Sequence, residues 1–188
     1  MARVNTKQLI TEAAVRVAAR HGISGASMDE IAEEAGVAKG SLYYNFASKD
    51  AIFEAIMRDG FERLGAAIDD ARATDAQGSD LVRAVAAATL QALRENPELA
   101  RIMASEVFRI DRPWYGALEL ARGSVIVRYR DVLREASAVR GGSRADEITE
   151  TAGAAFFGAL AGACLDWLLF RQDQPVEAVL DQVLLPVW

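Results

Sequence analysis

Cysteine and histidine occur once each in this 188-residue chain, as Cys164 and His21. A single cysteine excludes an intrachain disulfide, and a single histidine excludes any multi-histidine metal centre. There is no Gly-x-Ser-x-Gly elbow and no phosphate-cradling P-loop, so two common platforms for enzyme chemistry are missing. Cys164 lies in an apolar run and reads as a packed residue. His21 stands just before Gly22 and reads as a helix end. Neighbouring carboxylates such as Glu33 and Glu34 project at different helical angles. No catalytic residue, metal or cofactor is expected. Sustained apolar–polar alternation is also absent, which excludes strands.

Lysine is scarce, and its distribution is uneven. All three lysines, Lys7, Lys39 and Lys49, fall in the first 49 residues, where six basic residues face five acidic ones. Residues 50–188 carry fifteen basic against twenty-two acidic residues, so most of the formal charge of −6 resides there. An acidic chain is a poor general polyanion binder. A DNA contact nevertheless needs only local neutralisation of a few phosphates, and an acidic remainder discourages non-specific binding.

The richest stretch is Ser27–Lys49, SMDEIAEEAGVAKGSLYYNFASK. Ser27 followed by Glu30 forms a capping box, and Asp29 and Glu30 place negative charge at the positive end of a helix. Met28, Ile31, Ala32 and Ala35 share one helical face. Gly36 suits a left-handed helix terminator, and Val37 follows as an apolar plug. A second helix begins near Ala38 and runs through Tyr44, anchored by Leu42. Phe46 returns to the core, and Ser48 caps a third helix with Lys49 in its first turn. A lysine beside a positive helix end is unfavourable unless an anion sits there, so free N–H groups plus Lys49 suggest a phosphate site. Helix, glycine, apolar residue and helix in this order give the compact turn of DNA-reading helix pairs.

The spacing of Ile31-Ala32, Ala35-Gly36-Val37, Gly40-Ser41-Leu42-Tyr43, Phe46 and Ser48-Lys49 resembles the DNA-binding domain of the tetracycline-repressor (TetR/AcrR) family, over residues 4–64. The resemblance implies that Lys39, Ser41 and Tyr44 face base edges, with Gly40 allowing close approach. It implies that Tyr43, Asn45 and Lys49 hold phosphates. Asn45 stands where the family often has histidine, which leaves a donor but no pH-dependent charge. Secondary candidates are Lys7, Arg3 in an N-terminal arm, and Ser27, Met28 and Ala38 at the helix starts.

Beyond the motif the chain reads as helices, and the whole as all-α with about nine of them: a three-helix DNA-binding domain over 1–47 and a helical effector-binding and dimerisation domain over 48–188. From Ser48, Ile52, Phe53, Ile56, Met57, Phe61, Leu64 and Ile68 recur at helical spacing. Ser79 is a candidate cap, Asn96-Pro97 a helix start, Asp111-Arg112-Pro113 a break and Gly141-Gly142-Ser143 a loop. Residues 152–170 are apolar enough to span a membrane by length. Their many Gly and Ala residues and Asp166 argue instead for a buried oligomer helix. A last helix runs from Gln174-Pro175 to Trp188. Gly153, Gly158, Ala161, Gly162 and Leu165, with Val176, Leu180 and Val183, form the expected dimer interface. The resemblance further implies an effector cavity, for which Met103, Phe108, Trp114, Tyr115, Phe156 and Trp167 are lining candidates. Arg101, Glu106, Arg122 and Asp166 are its polar candidates.

These readings converge on a cytoplasmic homodimeric repressor. It would bind a near-palindromic double-stranded operator and be released by a small, mainly apolar effector. The start, MARVNTKQLITEAA, lacks the apolar core of a signal peptide. An architectural DNA factor and a cofactor-free helical enzyme are the alternatives from other classes.

Overall fold

The computed structural model describes residues 5–106, 115–139 and 145–185. Among them are nine α-helices and no strand: α1 (Thr6–Gly25), α2 (Met28–Ala35), α3 (Lys39–Asn45), α4 (Lys49–Arg72), α5 (Gly78–Glu95), α6 (Pro97–Glu106), α7 (Tyr115–Val139), α8 (Glu150–Phe170) and α9 (Val176–Leu184). A short 3₁₀ turn, Ala145–Glu147, precedes α8. The all-α expectation agrees with this architecture.

The chain packs as two compact units, residues 1–60 with 98–119, and 61–97 with 120–188. This division falls inside α4, between Gly60 and Phe61, while the sequence expectation starts the second domain at residue 48. The first turns of α4 are apolar on one side and bury Ile52, Phe53, Ile56 and Met57.

In the first unit, Asn5 caps α1 by accepting from the Lys7 backbone N–H. Helix α1 breaks at Gly22, whose φ of 69° is readily adopted only by glycine. This is where His21-Gly22 reads as a helix end. Ile10, Ala13, Ala14 and Val17 of α1 are buried together with Ile31 and Ala32 of α2 and Leu42 of α3. Helices α1, α2 and α3 all contact one another. Gly60 of α4 lies so close to α6 that an added Cβ would meet Met103 Sδ at 2.9 Å.

In the second unit, α5 packs on α8 and α9, and α8 packs on α9. Two ion pairs link the end of α4 to α7: Arg128–Asp69 at 3.0 Å and Arg72–Glu135 at 3.1 Å. The centre is aromatic. Tyr129 is fully buried, edge-on to Phe156 and stacked with Phe157. Its hydroxyl lies 2.8 Å from Thr89 Oγ1, while that hydroxyl is placed to donate to the Val85 carbonyl at 2.8 Å. The phenol therefore donates to Thr89, and both buried hydroxyls are satisfied. Burial pushes the phenol well above its usual range.

Several expectations are corrected here. Ser79 is not a cap: α5 starts one residue earlier, after Gln77, through a glycine at φ 56°. Gly153 faces inward, not toward a second subunit. A Cβ there would run into the Ile126 carbonyl oxygen, so its smallness serves the α7–α8 contact within the chain. Leu180 is likewise buried. The last described helix ends at Leu184, and Trp188 lies outside the described residues, as do the expected break at 111–113 and loop at 141–143.

Among the described helices, α8 alone is long and apolar enough to cross a membrane. Gly153, Phe156, Leu160, Cys164 and Trp167 form its buried stripe, at intervals of three or four residues. The opposite side, with Ala155, Gly158, Ala159 and Gly162, is exposed in the single chain, ending in Leu169 and Phe170.

Candidate nucleic-acid interface

The candidate surface is built by local chemistry. Ser27 Oγ accepts from the Glu30 backbone N–H at 3.2 Å, and the Glu30 carboxylate accepts from the Ser27 N–H at 3.0 Å, so the expected capping box closes. The Ser27 side chain and then its backbone hold the Glu30 carboxyl below its ordinary range. Gly36 ends α2 at φ 65°, returning its N–H to the Ala32 and Glu33 carbonyls. Helix α3 follows at once. Leu42 is wholly buried, and Phe46 at its end is nearly so. With the apolar side seated, the other side of α3 must face water.

That outer side carries the expected contact residues. Tyr44 is 91% exposed and Tyr43 54%, values that leave both phenol groups available to a partner. At Gly40 an added Cβ would meet nothing within 4 Å, so the surface is open for close approach. Ala38 and Lys39 are exposed, and Ser41 is half-buried. Ser27 is exposed and Met28 half-buried at the start of α2. Arg3 lies outside the described residues.

The three lysines all have partners within the first unit. Lys39 Nζ lies 2.7 Å from Asp29 Oδ2, linking the start of α3 to the first turn of α2. The Lys7 ammonium sits 5.5 Å from the centre of the Phe46 ring. Lys49 Nζ donates to the carbonyls of Ser24 and Ala26 at 3.1 and 2.8 Å. An ammonium at these last carbonyls relieves the negative end of α1, so Lys49 ties the α1–α2 turn to the start of α4. Ser48 Oγ caps α4 as expected, accepting from Ala51 N–H at 3.1 Å. The Asn45 amide donates to the Ser41 carbonyl one turn back.

Sequence reasoning missed the basic clasp on Glu34. Arg16 and Arg20 of α1 hold its two oxygens at 2.7 and 2.6 Å. Those bonds keep the Glu34 carboxyl below the usual range. The signal was present in the four-residue spacing of the arginines, which places both on one face of α1. Glu34 is accordingly not a freely solvated acid.

The expected effector-lining residues divide between the units. Met103 and Tyr115 belong to the first, and Phe156, Trp167, Arg122 and Asp166 to the second. Phe108 and Trp114 lie outside the described residues. Phe156 packs on Tyr129. Trp167 is buried, donates its indole N–H to the Gln174 carbonyl at 2.9 Å and carries the Arg94 guanidinium 5.0 Å from its ring. Asp166 is corrected as an interior contact: it lies on the exposed side of α8 and pairs with Arg171 at 2.8 Å. Burial raises the Cys164 thiol to about 11, which removes it as a ready nucleophile at neutral pH. No group of three or more metal-ligating side chains occurs among the described residues.

Residues 10–56 match the family described as bacterial regulatory proteins, tetR family. The HTH-type transcriptional repressor AcnR of Corynebacterium efficiens is 31% identical over 67 residues, a stretch that spans 36% of this chain and 36% of AcnR. The match thus covers about a third of that relative. The fatty acid degradation regulator FadR of Bacillus halodurans has a similar fold, with a TM-score of 0.82 at 20% identity, over 97% of this chain and 94% of FadR. FadR of Bacillus subtilis, solved with stearoyl-CoA, gives 0.80 at 19% identity, over 94% and 95%.

Proposed function

We propose, on the premise that this chain has the fold and the N-terminal segment of the bacterial tetR family of regulatory proteins, that it is a sequence-specific DNA-binding transcription regulator acting as a repressor. One observation carries the reading. Helix α3 seats Leu42 completely while leaving Tyr44 almost completely exposed beside an unobstructed Gly40. A short helix of that form can enter a major groove, since Leu42 is its only buried residue and its outer side faces water.

In this proposal Lys39, Ser41 and Tyr44 read base edges, while Tyr43, Asn45 and Lys49 position the backbone. Two of the Lys49 donors are occupied by carbonyls, and the third remains for a phosphate oxygen. Two copies would join through the outer side of α8, around Gly158, Ala161, Gly162 and Leu165, and through Val176 and Val183 of α9. Such a pair presents two heads to half-sites about 34 Å apart, or a multiple of that spacing. Helix α4 runs continuously from Lys49 to Arg72, and is the element through which an effector in the body would alter the heads. The effector acts by binding one body conformation better than the other. A mainly apolar small molecule suits the composition, and a long-chain acyl thioester is the first compound to try, because a regulator of similar fold was solved with stearoyl-CoA.

The test is selection of genomic fragments by the purified protein at low salt, then base-preference profiling of Tyr44→Ala and Lys39→Met. Both variants are expected to change the preferred bases, at about 1–3 kcal/mol per lost contact. Uniform weakening on every sequence would reject direct readout by α3.

A further inference from the structure

The ammonium expected to read DNA already has an anion. We infer that Asp29 is a specificity-determining residue: its carboxylate competes for Lys39 and makes generic phosphate contacts by that lysine less favourable than contacts with base edges. The inference rests on reading α3 as the DNA-contacting helix.

The geometry is direct. Lys39 is the first residue of α3, and Asp29 the second of α2. Their charged atoms are 2.7 Å apart, and both side chains are about two-thirds exposed, at 65% and 63%, so a third partner can reach the pair from solvent. Asp29 lies in the first turn of a helix whose N-terminal N–H groups favour a carboxylate, which fixes its charge in place. Of the other acids on α2, Glu30 is held in the capping box and Glu34 by Arg16 and Arg20, while Glu33 is exposed one turn further on. Asp29 is the acidic partner that the structure gives Lys39.

A lysine without such a partner would take any phosphate, and phosphates occur along every duplex. With the Asp29 carboxylate alongside, a phosphate contact sets two anions against each other around one ammonium. A base edge is different. The O6 and N7 acceptors of guanine are dipolar but carry no net charge, so they can share the ammonium with a carboxylate at less cost. The pair therefore filters duplexes by the kind of acceptor they offer. Asp29 does not read a base itself and is a positioning residue acting through Lys39.

Fluorescence anisotropy on the best genomic fragment and on a random duplex of equal length, over a range of salt, tests this with the full chain. Asp29→Asn is expected to tighten binding to the random duplex by about two- to fivefold, the range open to an exposed ion pair. The genomic fragment should gain less, so the ratio between the two falls. In a Lys39→Met background the same change should leave that ratio unmoved. Equal tightening on both duplexes would overturn the inference, as would a ratio change that persists without Lys39, because Asp29 would then act only as a general negative charge. Asp29→Ser, with helix content checked by circular dichroism, separates lost charge from a disturbed α2. Failure of the wild-type chain to bind either duplex would instead overturn the reading of the head.

Discussion

In the first unit, the proposed DNA-reading head, polar groups hold the surface together: Ser27 with Glu30, Glu34 with Arg16 and Arg20, Lys39 with Asp29, and Lys49 with two carbonyls. In the body the central contacts are aromatic and aliphatic, with Tyr129 edge-on to Phe156 and stacked with Phe157 beside a single satisfied hydroxyl pair. The contrast separates two demands. The head must keep charged groups at its surface in defined places, because the proposed partner is a polyanion. The body has no such obligation along its core helices and can rely on packing. Exposed ion pairs contribute at most about 1 kcal/mol each, whereas truncating a buried aromatic costs about 3–5 kcal/mol. The stability of the head thus rests on the smaller apolar set around Ile10, Ile31 and Leu42, which leaves its surface charges free to serve the proposed recognition.

The largest effect should come from breaking the body alone. Tyr129→Ala removes a fully buried ring and leaves a cavity beside Thr89, at an expected cost of about 3–5 kcal/mol in urea denaturation. Hydrogen exchange resolved by peptide should show the loss first in α5, α7 and α8. Equal and simultaneous loss in α1–α3 would mean that the two regions unfold as one. A smaller effect is expected from Lys49→Ala. The variant should expose the α1–α2 turn to exchange, weaken binding to all DNA sequences and reduce the salt slope by about one phosphate, roughly 0.9 in log–log terms. An unchanged slope with a destabilised turn would confine Lys49 to its carbonyl contacts.

The mildest test is titration, and the two regions should respond at opposite ends of the pH scale. Glu30 and Glu34 have carboxyls held low by their hydrogen bonds, so the head gains stability above the ordinary carboxylate range and loses it as pH falls through the depressed folded values. Tyr129 and Cys164 are raised by burial, Cys164 to about 11. Their contribution is complete below the ordinary phenol and thiol values and is lost as pH rises toward the raised folded ones. Exchange protection should therefore fade first in α2 on acidification and first around α7 and α8 in alkali. The same order at both extremes would remove these groups as the cause.

How far each region was legible in the sequence follows the same division. The head's decisive features span few residues. Ser27 and Glu30 are three apart, Gly36 ends a short amphipathic helix, and Leu42 alternates with polar tips, so local spacing was sufficient to place α2 and α3. Partners across helices were not legible. Nothing in the sequence tells that Lys49 reaches back to Ser24 and Ala26, or that Lys39 meets Asp29, because those contacts join residues of different helices. In the body, α8 is apolar nearly all round. Periodicity could not show which side turns inward, and so Gly153 was expected at a subunit interface and Asp166 in an interior. The steric contact of Gly153 with the Ile126 carbonyl decides the matter. Ser79 was misjudged because serine is a common cap, whereas the chain enters α5 through a glycine with positive φ.

The lone cysteine gives the body a native reporter. Its sulfur is almost completely covered on the inner stripe of α8, and its elevated pKa leaves little thiolate at neutral pH. A maleimide or aromatic disulfide reagent can modify it only when the surrounding helices separate, so labelling kinetics clock the opening of that core without an engineered probe. An effector that tightens the body should lengthen the half-time of modification, and this would be measurable before any operator is known.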